Sequence, residues 1–66
     1  MTNEQRTDLA LSAVRMHSAS IGATTEPMKD QVVDLLCNLR HMCGDWGIEI
    51  NDALRVSETH YKEEIG

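Results

Sequence analysis

The spacing of apolar residues between positions 28 and 46 constrains this chain more than any other feature. Met28, Val32, Leu35, Leu39, Met42 and Trp46 recur at intervals of 4, 3, 4, 3 and 4, and Leu36 and Cys43 widen the same stripe. At about 100° per residue these positions fall on one side of an α-helix, whereas a strand would scatter them over two faces. Gly47 stands just past the stripe, where a left-handed residue closes a helix. Pro27 stands at its start, where a missing N–H costs nothing, and Thr25 or Glu26 can cap. The spacing predicts a helix over residues 26–46.

Helical signals flank this segment on both sides. Thr2 and Gln5 have the separation of a capping box and Gly22 supplies a stop, which predicts a first helix over about residues 3–20. Beyond Gly47, Ile48 is placed for the apolar contact that accompanies helix closure, and Glu49 or Asn51 can cap a third helix. Ile50, Leu54, Ser57 and Tyr61 then repeat at 4-3-4, with Ala53 and Ile65 beside them, over about residues 50–64. Strict alternation occurs nowhere, so the expected fold class is all-α, a single small helical domain over residues 1–66. Short connections predict antiparallel neighbours, and the matching stripes of helices two and three predict that these two form the hairpin.

The first helix is apolar on two sides. Leu11, Val14 and Ile21 lie on one, and Leu9, Ala13 and Met16 nearly opposite. One hairpin can cover only one of them. A chain of 66 residues buries only about 60% of the surface it exposes when unfolded, and one this small usually needs a staple. With 14 Leu, Ile and Val residues, one Trp, one Tyr and no Phe, the interior must be aliphatic and thin. Completion by homo-oligomerisation into a helical bundle, as a homodimer or higher oligomer, is the expected remedy. The residues expected to carry self-association are Leu9, Met16, Leu35, Leu39, Met42 and Trp46.

The two cysteines offer no alternative staple. Six residues of helix would hold Cys37 and Cys43 about 9 Å apart, beyond the reach of a disulfide. Reduced thiols, no apolar run of membrane length and an opening segment without signal-peptide character make the cytoplasm the expected compartment. The formal charge of −5, with Lys and Arg scattered, removes the attraction that dominates nucleic-acid binding. Neither nucleic acid nor membrane is an expected partner. Acidity rises toward Glu63 and Glu64, at the unfavourable end of the third helix, so its last turn is expected to fray in the absence of a basic neighbour.

Opposite the core stripe, Asp30, Asp34, Cys37 and His41 project from one side at intervals of 4, 3 and 4. This is the candidate ligand or metal face. The carboxylates could meet Mg²⁺ through oxygen, and Cys37 with His41 supplies half of a zinc set, to which only His17 and His60 could add. Neither set is complete, and a solvated or subunit-facing polar surface is the plainer reading. No serine has an elbow or a local base, and no glycine-rich phosphate loop exists, so no catalytic residue is expected.

From Gln31 onward the letters Asp34-Leu35-Leu36, Leu39, Gly47-Ile48, Ala53-Leu54 and Tyr61 resemble the C-terminal half of MazG-type all-α nucleotide pyrophosphohydrolases. The chain also resembles short helical proteins of phages and other mobile elements that share Asp34-Leu35-Leu36, His41, Gly47-Ile48 and the Tyr61-x-Glu63-Glu64 ending. The first resemblance implies a helical scaffold whose carboxylate pairs bind Mg²⁺ against a nucleoside triphosphate. Only Asp34 matches such a ligand. Gln31 takes the partner Glu position, Glu4 and Asp8 form no ExxE, and the family's late basic and amide positions fall on Glu58 and His60. The expected function is that of a non-enzymatic protein-interaction or regulatory protein acting as a homo-oligomer on a protein target, a phage or mobile-element accessory factor without cofactor. The alternative is a degenerate or minimal Mg²⁺-dependent nucleotide-binding or pyrophosphohydrolase protein.

Overall fold

The computed structural model describes residues 1–66 as three α-helices without a strand: α1 (Asn3–Ile21), α2 (Met28–Trp46) and α3 (Ile50–Ile65). Their ends follow from local chemistry. Thr2 Oγ1 accepts from the Gln5 N–H at 3.1 Å while Gln5 Oε1 accepts from the Thr2 N–H at 2.9 Å, closing the capping box. Gly22 and Gly47 close α1 and α2 with φ of 72° and 69°, a conformation that strains any residue with a Cβ. In each case the following amide reaches back a full turn, Ala23 to the Ser18 carbonyl at 2.9 Å and Ile48 to the Cys43 carbonyl at 2.8 Å. Glu49 caps α3 by accepting from the Asn51 N–H at 2.8 Å.

Two expectations about α2 need correction. It begins at Met28, because Pro27 is itself the extended cap residue and offers its carbonyl to the Gln31 N–H; neither Thr25 nor Glu26 caps it through a side chain. Its packed partner is α1, whereas α2 and α3 barely touch. The corner between α2 and α3 explains this. Only Gly47, Ile48 and Glu49 link the two helices, and the corner is bonded back onto α2 at one end and capped onto α3 at the other. The path does not lay α3 alongside α2.

Val14 and Ser18 of α1 and Gln31 and Cys43 of α2 are buried, as is Ala23 in the connection between the helices. Leu11, His17, Asp34, Leu35, Leu39 and Ile50 are half-buried. The hairpin is unusually polar for an interior: Ser18 is completely buried, and His17 Nε2 lies 2.8 Å from Asn38 Nδ2. Gln31 Nε2 donates to the Glu26 carbonyl at 2.7 Å, which ties α2 to the loop before it.

The far end of α3 returns to the start of α1. Arg6 Nε meets Glu64 Oε2 at 2.7 Å and Asn3 Nδ2 donates to the Glu64 carbonyl at 3.1 Å. α3 is helical to Ile65, and its acidic last turn meets Arg6, the basic neighbour that was the alternative to fraying. The guanidinium of α1 neutralises its acid and favours the negative helix end, while Asn3 satisfies an orphan carbonyl. Between these ends lies a shallow cleft of about 360 Å³ lined by residues including Thr7, Ala10, Tyr61 and Ile65. The molecule is flattened, 36 × 31 × 17 Å, and its radius of gyration of 13.2 Å exceeds the value of about 11 Å for a compact chain of this length. No helix is long and apolar enough to cross a membrane.

Candidate functional site

The fold leaves many large apolar side chains uncovered. Leu9 and Met16, on the outer side of α1, are 59% and 73% exposed, and Trp46 at the end of α2 is 77% exposed. Met42 is exposed as well. Leu35 and Leu39 are half-buried within the chain, so the six residues expected to carry self-association divide between four free side chains and two partly used ones. Sequence reasoning did not single out Ile48, Leu54, Tyr61 and Ile65 for this surface, yet all four are exposed. For Leu54 and Tyr61 the signal is the 4-3-4 repeat of α3, with Ile65 beside it, a pattern that predicts the seam of an internal hairpin.

The amount of uncovered surface is informative. The accessible area is 5321 Å², against about 4,200 Å² for a folded monomer of 7.4 kDa. The excess of about 1,100 Å² exceeds the roughly 800 Å² that each partner contributes to a standard stable interface. Isolated exposed apolar residues are ordinary; an excess of this size in a chain with only Val14, Ala23 and Cys43 as buried apolar residues is not.

The polar side of α2 is arranged differently. Asp30, Cys37 and His41 are exposed and Asp34 is half-buried, all on the side opposite the stripe. The structure adds Glu26, one turn earlier in the connection. A hydrogen bond shared with Asp34 raises the Glu26 carboxyl above its ordinary value of 4.5, with desolvation and the negative charges of Asp34 and Asp30 acting in the same direction. Its spacing of 26, 30 and 34 continues the helical interval of the face, a signal that assignment of Glu26 to a cap concealed. No three His, Cys, Asp or Glu side chains are grouped so that they could hold a metal ion. Cys37 and Cys43 are both unpaired, the first exposed and the second buried.

Gln31 bears on the nucleotide-hydrolase resemblance. Where a metal-binding carboxylate would stand, this amide is buried and committed to the Glu26 carbonyl. His17, considered as a zinc ligand, faces Asn38 within the hairpin, and His60 is exposed on α3. No family model, no curated protein and no solved structure matches this chain.

Proposed function

We propose that the chain is a non-enzymatic interaction protein that works as a homo-oligomer, built from copies that cover one another's apolar surface and present their acidic faces to a protein target. The observation that carries this reading is the excess of about 1,100 Å² of accessible surface over a compact monomer, together with the many large aliphatic and aromatic side chains left exposed. The unpaired thiols support the reading of a reducing compartment such as the cytoplasm. The resemblance of the Asp34-Leu35-Leu36 to Glu63-Glu64 pattern to short phage and mobile-element proteins suggests an accessory role there.

A Mg²⁺-dependent nucleotide hydrolase using Asp30 and Asp34 has less support, because Gln31, at the partner carboxylate position, is buried and donates to the Glu26 backbone carbonyl. Sedimentation equilibrium at low micromolar concentration tests the leading reading. The expected result is a mass of at least twice 7.4 kDa; a stably helical single chain would overturn it. Calorimetric titration with Mg²⁺ and nucleoside triphosphates is expected to give no heat, whereas binding abolished by Asp34→Ala would favour the hydrolase.

A further inference from the structure

We infer that Asn3, Arg6 and Glu64 form a salt-sensitive clasp that docks the end of α3 on the start of α1 and, when it opens, releases the last turn of α3. The three side chains make a closed network. Arg6 Nε lies 2.7 Å from Glu64 Oε2, while its Nη1 donates to the Met1 carbonyl at 2.6 Å and to Asn3 Oδ1 at 3.1 Å. Asn3 Nδ2 completes the circuit by donating to the Glu64 carbonyl at 3.1 Å. Met1 and Asn3 thus aim the guanidinium at Glu64, which lowers the ordering cost of the contact. The other two ion pairs differ in kind: Arg55 with Asp52 and Lys62 with Glu58 lie within α3 and are more exposed, whereas Arg6 and Glu64 join two helices.

The placement of the two charges shows that neither suits its own helix. Arg6 stands at the start of α1, where the partial positive charge of the helix favours an acid, and Glu64 stands in the last turn of α3, where the partial negative charge favours a base. Only across the gap between the helices does each find its opposite. With the clasp open, Glu64 and the adjacent Glu63 both oppose the dipole of α3. Docking of α3 and integrity of its last turn are therefore coupled.

No other contact on α3 duplicates the clasp. α3 holds no buried residue, and no further side-chain hydrogen bond or ion pair ties it to α1 or α2. Tyr61 and Ile65 face the start of α1 across an open cleft and do not fill it. One partly exposed ion pair with a supporting hydrogen bond favours the closed form by about tenfold. The clasp therefore opens measurably, and salt shifts it further.

Amide hydrogen exchange on the full chain, followed by NMR, tests the clasp. Arg6→Met keeps an aliphatic stem and removes the charge; it is expected to speed exchange at residues 62–65 by about two- to fivefold at low salt, while residues 32–43 keep their rates. Raising the salt from about 0.01 M to about 1 M, which shortens the screening length about tenfold, should speed the same amides in the wild type and change Arg6→Met little. In a Glu64→Gln background Arg6→Met is expected to have no further effect, the sign that the two residues act through each other. Unchanged exchange at residues 62–65 in Arg6→Met would overturn the clasp. So would an equal rise throughout α1 and α2, which marks global unfolding, or an Arg6→Met effect that survives in full beside Glu64→Gln. Protection at residues 62–65 that grows with protein concentration and ignores Arg6 would also overturn it, assigning the end of α3 to a neighbouring copy.

Discussion

The α1–α2 hairpin and α3 use opposite means to hold their places. The hairpin seam encloses small and polar side chains: Ser18 and Gln31 are buried, and His17 meets Asn38 across it. α3 has the cleaner apolar stripe and buries none of it, being held by a fixed corner at one end and an ion pair at the other. Amphipathicity alone therefore does not determine which helices pair within a chain. A rigid connection can direct the most amphipathic element outward, and a nearby helix with smaller, less apolar letters is then packed instead.

Five substitutions would break or sharpen this contrast. Ser18 is fully buried and its hydroxyl has no partner, so Ser18→Leu should overpack the hairpin and cost about 1–3 kcal/mol by denaturant unfolding. Ser18→Ala, which removes an unpaired buried hydroxyl and adds a better helix former, should instead stabilise by about 1 kcal/mol. Gly47→Ala should cost about 1–2 kcal/mol, because a Cβ at φ 69° is strained although no neighbour obstructs it. Loss of that amount without loss of helix content would show that the corner positions α3 rather than forming it.

Smaller effects come from the ends. Arg6→Ala removes a partly exposed ion pair and should cost about 0.2–1 kcal/mol, less at high salt, with thermal melting as the readout. A larger loss would mean that the tip of α3 depends on this contact alone. The smallest effect concerns Glu26, whose carboxyl is raised above 4.5 by the shared hydrogen bond with Asp34, then by desolvation and neighbouring charge. The folded state then holds the proton more tightly than the unfolded one, so stability falls as pH rises through the folded value and is regained below 4.5. Glu26→Gln should raise the Tm slightly at pH 7, and the difference should vanish below pH 4.5.

Local chemistry was readable from the letters. Thr2 with Gln5, Gly22, Gly47 and Glu49 act within a few residues of themselves, so their roles do not depend on where the helices go. Helix pairing was not readable in the same way. The stripes of α2 and α3 match in the sequence, while the seam that forms is marked by Ser18, Gln31 and Asn38, letters that ordinarily read as surface. The two-sided character of α1 was legible, since Leu11 and Val14 turn inward and Leu9 and Met16 outward. Glu26 was obscured because the extended Pro27 moves the start of α2, which releases the acid from a capping role to lie beside Asp34. The Arg6–Glu64 contact spans nearly the whole sequence, and no local pattern announces it.

Trp46 offers a convenient consequence. It is the chain's one tryptophan, and it stands 77% in water at the corner where α3 departs. Its indole is thus a built-in optical reporter of the proposed self-association: emission should lie toward the red in dilute solution and shift toward the blue if copies shield the ring, so that simple dilution tests assembly without any attached dye.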